Sequence, residues 1–167
     1  MSLIETAKLL AGYKAWANEI TFGAIQSLSE GEATKERETR YQNMVHTLNH
    51  VYVIDRIFQA HLEQKPHPYT TRNTETHPPL EELWQLVKPV DQWYVNYANS
   101  ISEKELLEVL DFKFVDGGAG VMSRLEMIMH VVNHGTYHRG LVSDMMYQVP
   151  VVPPANDLTI YLRDIVS

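Results

Sequence analysis

The chain has 167 residues, of which 44% are apolar and 21% are charged, and it contains no cysteine. This length predicts one domain over residues 1–167, and the apolar content suffices for a buried core, which excludes disorder as the main state. The lack of cysteine excludes disulfides, thiolate metal sites and a cysteine nucleophile. The net charge of −7 disfavours nucleic acid as a partner, because Lys and Arg must neutralise phosphates.

The sequence contains no apolar run long enough to predict a membrane span, so no membrane partner is expected. Its first residues follow a helical pattern with charges inside it, unlike a signal peptide. A chain without cysteine also suits a reducing compartment. Together these features predict a cytoplasmic location.

Apolar residues recur every three or four positions in four segments, which predicts four long helices. The second segment has apolar residues around its whole circumference, so we expect that helix to be central or to form a subunit interface as well. Pro89 lies inside the third segment and is expected to kink it. The predicted helices cover residues 3–28, 39–63, 80–100 and 123–148, and residues 149–154 end the last one.

The remaining segments predict a long loop, a hairpin and a short helix. Residues 65–79 hold four prolines and cannot be regular. Residues 109–114 alternate and are followed by a glycine turn and residues 120–122, which predicts a short hairpin. Residues 158–165 predict a last short helix. The predicted fold is all-α, a four-helix bundle with a long crossover loop, a short β-hairpin before the last long helix and a short C-terminal helix.

Five of the eight histidines form two tight clusters at helical spacing. His130, His134 and His138 are one turn apart on the fourth helix and span roughly 80° of its surface. His46 and His50 are one turn apart on the second helix. Imidazole binds Zn, Ni, Fe or Cu, and two histidines one turn apart can reach a single ion. A third ligand from the facing helix would complete a three-His site with an open position, a pattern typical of catalysis.

Spacing alone does not decide which three histidines bind, and it leaves other interpretations open. The histidines could be hydrogen-bonded core residues without a metal, or could hold a haem between facing helices. A ferritin-like di-iron site is excluded because no histidine has Glu three residues before it, and the His-Glu-x-x-His motif is absent. For His61, His67 and His77, at a helix end and in the proline-rich loop, solvated surface positions are expected.

Several runs resemble a known family. Residues 133–140, Asn-His-Gly-Thr-Tyr-His-Arg-Gly, resemble the closing His-x-x-x-His-Arg-Gly signature of the DinB/YfiT-like superfamily. His50, followed eight residues later by Phe58, is similar to the first ligand helix of that family. Residues 13–18, Tyr-x-x-Trp-Ala-Asn, resemble its first helix. The likeness extends to the tail at residues 153–163 and so covers nearly the whole chain in order.

The resemblance implies a four-helix bundle in which His50, His134 and His138 hold a divalent metal ion, with zinc or nickel favoured and iron or manganese as alternatives. His46 and His130 would then be neighbours of the site, and His130 could replace His138 from one turn away. Members of the family often pair, which implies a homodimer.

The function that the resemblance implies is metal-dependent chemistry on a small molecule. Characterised relatives include thiol S-transferases, so a low-molecular-weight thiol is an expected cosubstrate. A hydrolase using the same open site is also consistent with the pattern. The alternative is a non-catalytic metal-binding protein of a stress response.

No catalytic residue can be assigned from the sequence. Around the helix, Tyr137 lies about 60° and Asn133 about 100° from His134, so both are candidates to support a ligand, with ordinary packing as the alternative. Asn49 and Arg139 are sequence neighbours of the predicted ligands and are further candidates.

Overall fold

The computed structural model describes residues 1–149 and 151–166. Four long helices form a bundle, joined by short helical turns and one two-stranded hairpin. The predicted all-α fold is therefore confirmed. The elements in chain order are α1 (Leu3–Gln26), α2 (Met44–Leu62), α3 (Leu80–Ser100), α4 (Glu103–Leu106), β1 (Val109–Lys113), β2 (Ala119–Ser123), α5 (Arg124–Tyr147), α6 (Leu158–Tyr161) and a final π-turn (Leu162–Val166).

Reciprocal capping boxes start two of the long helices. The Ser2 hydroxyl accepts a hydrogen bond from the backbone N–H of Glu5, whose carboxylate accepts one from the backbone N–H of Ser2. Ser123 and Glu126 make the same pair at the start of α5, as the sequence predicts. Each box satisfies two backbone donors that the helix itself leaves free.

The predicted start of the second helix at residue 39 is wrong. Gln42 has a left-handed φ of 65°, and the chain turns there before it enters the helix. The Asn43 side chain then caps α2 by accepting a hydrogen bond from the backbone N–H of His46 at 2.8 Å. Apolar periodicity therefore overestimated the length of the helix. The buried residues of α2 begin only after this turn.

Helix α2 is buried on more than one side, as its sequence predicts. It packs against α5 and α3, while α1 packs against α3 and α5. The apolar residues of α2 are thus covered within this single chain and do not require a second subunit. Its central position also places its polar residues between helices.

The hairpin and the loops behave as expected. Strands β1 and β2 pair antiparallel with Phe112 opposite Gly120, and the Phe112 ring lies where a side chain at Gly120 would stand. Residues 65–79 contain no helix or strand. In the predicted stop at residues 149–154, Pro150 lies outside the described residues. Within the described part of the chain, no helix has both the length and the apolar character needed to cross a membrane.

Candidate metal centre

The three histidines singled out by the family resemblance lie together between α2 and α5. His50 comes from α2, and His134 and His138 come from successive turns of α5. One ring nitrogen from each lies within 4.8 Å of the others, so the group could hold a metal ion. The Nε2 atoms of His50 and His134 are 3.0 Å apart. The packing of α2 on α5 therefore converts two separate sequence clusters into one site.

The crossover loop fixes the orientation of His50. Its Nδ1 lies 2.5 Å from the backbone carbonyl oxygen of Arg72, and a carbonyl can only accept. The neutral ring therefore carries its proton on Nδ1 and leaves the Nε2 lone pair directed at His134. An imidazole whose other nitrogen donates to a backbone carbonyl is the usual arrangement of a metal ligand.

The three rings have the protonation state that a divalent ion requires. Burial lowers the pKa of all three histidines, to about 2 for His134 and to about 4 for His138. For His134 the charges of His138 and His50 add to the effect. At neutral pH the rings are thus uncharged, which is the form that binds metal.

The nitrogen positions also fit a single ion. Two nitrogens bound to one zinc at ~2.0–2.1 Å lie roughly 3–3.5 Å apart in tetrahedral geometry, close to the separation of the His50 and His134 Nε2 atoms. The Nδ1 atoms of His134 and His138 are buried and have no hydrogen-bond partner among the described residues. His134 is paired with His50 through Nε2, so hydrogen bonding within the core satisfies these rings only in part.

The two neighbouring histidines are not part of the converging group. Nε2 of His46 lies 3.0 Å from the Thr74 carbonyl oxygen and so is already engaged with the crossover loop. The His130 ring packs on Phe58 with ring centroids 4.5 Å apart and stacks 5.7 Å from the ring of His134. The structure thus favours His138 over His130 as the third member.

The solvated positions expected for the other three histidines are wrong, because all three are partly buried. His61 packs on the Phe112 ring at 4.8 Å, and burial, aided by the charge of His67, lowers its pKa to about 4. The Asn43 amide nitrogen donates to Nε2 of His77 at 3.4 Å. The hairpin and the crossover loop fold back over α2 and cover these residues.

A cavity of about 370 Å³ opens directly onto the three histidines. One part of its wall is apolar, and another part carries two arginines. Its lining contains no Asp or Glu among the described residues. The lining residues are Arg40, Tyr41, His50, Ile54, Phe58, Arg72, Phe114, His130, His134, Tyr137 and His138.

Sequence reasoning missed Arg40, Tyr41 and Arg72 at this site. The Tyr41 ring stacks on the His50 ring with centroids 4.6 Å apart and an interplanar angle of 25°. Arg40 and Arg72 lie close enough for their charges to reinforce the burial that lowers the pKa of His50. Arg40 and Tyr41 were expected inside the second helix and lie instead in the turn before it, while Arg72 lies in the crossover loop, so no sequence signal placed them beside the histidines.

The supporting candidates named from the sequence separate into two groups. Tyr137 lines the cavity and packs edge-on against the His138 ring at 5.0 Å, although its side chain is largely exposed. Asn133 lies outside this cavity. Asn49 donates to the side chains of Asn73 at 2.6 Å and Thr74 at 2.7 Å, so it anchors the crossover loop rather than the site.

A second polar cluster, the buried charge network, lies at the core of the bundle. Lys14 is 2.7 Å from Asp55 Oδ2 and 2.5 Å from Asp91 Oδ1, and all three side chains are almost completely buried. Asn18 donates to Asp91 and accepts from Arg139 at 3.0 Å. Burial alone would lower the pKa of Lys14, but the two carboxylates raise it, so the amine stays charged.

Arg139 therefore serves the core and not the cavity. Its guanidinium donates to Asn18 and to the Thr136 hydroxyl, each at 3.0 Å, and lies over the Tyr13 ring. A side chain at Gly135 would stand only 3.0 Å from this guanidinium, which explains a small residue there. The signal for this network was present in the sequence, because Lys14 and Asn18 lie at core spacing with Ala7, Ala11 and Thr21.

The fold and the site can now be set beside known proteins. The DinB family model matches residues 2–164. The chain belongs to the DinB family. As a DinB-family protein it is 26% identical over 162 residues to Protein DinB of Bacillus subtilis (strain 168), covering 90% of each chain.

A solved structure has the same fold as this DinB-family chain. A DinB-like protein from Bacillus cereus ATCC 10987 superposes with a TM-score of 0.64 at 18% identity. The match covers 86% of this chain and 91% of the other. The bundle described above is therefore the fold of a known DinB-like protein.

Proposed function

We propose that this chain binds one divalent metal ion through His50, His134 and His138 and uses it in chemistry on a small molecule. The observation that carries the proposal is the convergence of three neutral imidazoles at the wall of an open cavity. A structural metal site is normally closed by four protein ligands, whereas three ligands beside open space leave a position for water or substrate. Zinc or nickel suits imidazole ligands best, with iron or manganese as alternatives.

Thiol transfer is the reaction class that we propose for the cavity, as the resemblance to the family implies. A bound divalent ion supplies Lewis acidity, which favours the deprotonated form of a thiol. Because the chain has no cysteine, the thiol must belong to a cosubstrate. In the transfer, the sulfur forms a bond to an electrophilic carbon, the leaving group departs with its bonding electrons, and the thiol proton passes to solvent. A hydrolase that uses the same open position is the second reaction class, and His130, which lines the cavity, is its candidate general base.

The protein's own residues hold the reacting partners in place. Arg72 fixes the His50 ring through its carbonyl oxygen, and Tyr41 covers one face of that ring. Ile54 and Phe114 give the cavity an apolar wall that displaces water and receives the carbon body of a substrate. Pairing of two copies of the chain into a homodimer is part of this proposal but is not needed for the chemistry.

Transfer of a small thiol to a fluorogenic electrophile tests the proposal. We expect the zinc- or nickel-loaded protein to accelerate the reaction and to bind the thiol in calorimetry. The His134→Ala variant should lose both properties, and His61→Gln, outside the cavity, should keep them. If metal binds but neither thiol binding nor turnover is found, thiol transfer is overturned, and the hydrolase and the non-catalytic metal-binding protein are left. If no metal binds, the whole proposal is overturned.

A further inference from the structure

Two arginines from different loops face the same cavity as the three histidines. Arg40 belongs to the turn before α2, and Arg72 belongs to the crossover loop that holds His50. Both line the cavity of about 370 Å³. Two separate segments of the chain thus bring positive charge to one opening.

The charges of these arginines are weakly neutralised. No acidic side chain in the described part of the protein forms an ion pair with Arg40, whose guanidinium lies 5.7 Å from the centroid of the Tyr41 ring. Arg72 pairs with Asp116 at 3.1 Å, but the two side chains are 58% and 60% exposed. Exposed pairs of this kind contribute little and are readily exchanged for another anion. In a chain of net charge −7, a cavity with two available guanidinium groups is a local exception.

The rest of the cavity limits the size and character of a ligand. Ile54, Phe58 and Phe114 form its apolar wall. The volume suits a molecule with a small aliphatic or aromatic body. A guanidinium presents two parallel N–H donors that match the two oxygens of a carboxylate. An apolar body with one or two carboxylates therefore complements both parts of the wall.

We propose that Arg40 and Arg72 select a small carboxylate as the ligand of this cavity. The ligand's apolar body lies against the phenylalanines, its carboxylate is held by the guanidinium groups, and its other end faces the histidines. This inference deepens the proposed function and rests on it for which end of the ligand reacts at the histidines. The preference for a carboxylate depends on the arginines alone. Arg40 and Arg72 are thus residues that determine specificity.

Two probes of the same shape separate the effect of the ligand's charge from the effect of its shape. Phenylacetate and its neutral amide, phenylacetamide, differ at the group that the arginines would hold. We expect the protein as purified to bind the acid about tenfold more tightly than the amide, as charge-assisted hydrogen bonds predict. The preference should weaken as salt is added, since the interacting groups are exposed to solvent.

Variants of Arg40 and Arg72 test whether these two side chains cause the preference for the acid. The double variant Arg40→Gln, Arg72→Gln should bind the acid and the amide almost equally and keep its metal content, because the backbone carbonyl that holds His50 is unchanged. Arg163→Gln is the matched control, since Arg163 pairs with Asp164 in the C-terminal turn. It should keep the full preference. Equal binding of acid and amide to the unaltered protein, or a preference that survives in the double variant, would overturn the inference.

Repeating the titrations on the metal-free protein distinguishes a failure of this inference from a failure of the proposed function. Acid preference that persists in the metal-free protein and disappears with the arginines supports the inference even if no metal is ever found. Loss of the preference on metal removal alone would assign it to the ion and overturn the role of the arginines. Inorganic phosphate that binds more tightly than phenylacetate, with the same dependence on the arginines, would overturn the choice of a carboxylate.

Discussion

The histidine site and the buried charge network both involve α2 and α5, yet they differ in what compensates their polar groups and in whether a cavity lies beside them. In the network, Lys14 contacts two carboxylates within the core, although Asp55 Oδ1 and Arg139 Nε have no hydrogen-bond partner among the described residues. In the histidine site, two Nδ1 atoms have no partner among the described residues, and the rings face an open cavity. Opposite charges that are buried side by side rigidify and specify a core, whereas ring nitrogens that converge beside a cavity are placed to take a ligand. The contrast supports a structural role for the network and the ligand-binding role proposed for the histidines.

The largest expected effect comes from breaking the network. Lys14→Met leaves Asp55 and Asp91 buried without their shared cation, and we expect the free energy of unfolding to fall by about 3–5 kcal/mol. Urea denaturation of the metal-free protein followed by circular dichroism measures the change. Lys88→Met, at an exposed lysine of α3, is the matched control and should cost less than about 1 kcal/mol. Equal stability of the two variants would remove the distinction between the clusters.

The next effect in size concerns metal-linked stability. A ligand that binds only the folded state at one hundred times its Kd stabilises it by about 2.7 kcal/mol. We expect this gain for the unaltered protein in zinc, and no gain for His134→Ala. The His130→Ala variant, one turn away, should gain as much as the unaltered protein. Zinc-dependent shifts in thermal unfolding report the result, and an equal gain in His134→Ala would contradict the assigned ligands.

A smaller effect is expected in the pH dependence of stability. Burial lowers the pKa of His61 from 6.5 to about 4, so the folded state binds fewer protons than the unfolded state within that window. Its contribution to stability is complete above pH 6.5 and is lost as the pH falls toward 4. Burial raises the pKa of Asp55 to about 6, so its effect on stability has the opposite dependence on pH. Asp55 is present both in the unaltered protein and in the His61→Gln variant, so its effect cancels in the comparison of the two.

The comparison for that prediction is His61→Gln. Without the titrating ring, the decline in metal-free stability between pH 6.5 and 4 should be shallower than in the unaltered protein. Denaturant midpoints at several pH values provide the measurement. Parallel curves for the two proteins would show that His61 is not titrating in this environment.

The smallest effect is expected at the cavity rim. Asp116→Asn removes the partner of Arg72, and because both side chains are exposed the free energy of unfolding should change by less than about 1 kcal/mol. The same variant frees Arg72 and should strengthen phenylacetate binding slightly in calorimetric titrations. A large loss of stability would show that this ion pair stabilises the fold as strongly as the ion pairs of the buried charge network do.

The helices and the placement of two histidines on one helix face were accessible from sequence because their signals are local. Apolar periodicity and the capping residues Ser2 and Ser123 depend on neighbours a few positions away. The i, i+4 spacing of His134 and His138 likewise places two rings on one face of a helix. Choosing His50 required the resemblance to the family, since spacing alone gave it no advantage over His46.

The parts that sequence reasoning missed depend on tertiary contacts. The turn at Gln42 replaces the predicted first turn of α2 because the Asn43 cap stops the helix there. Arg72 reaches the site only because the crossover loop folds back and hydrogen-bonds to α2. Loops without periodicity carry no signal for such contacts, although charged residues at core spacing, such as Lys14, did carry one for the network.

The most direct test of the account is the metal content of the protein purified without an affinity tag, measured by elemental mass spectrometry beside the His134→Ala and His130→Ala variants. We predict about one equivalent of a divalent metal per chain in the unaltered protein and in His130→Ala, and none in His134→Ala. No metal in the unaltered protein, even after zinc or nickel is added, or equal loss from both variants, would contradict the assignment of His50, His134 and His138 as a functional metal centre.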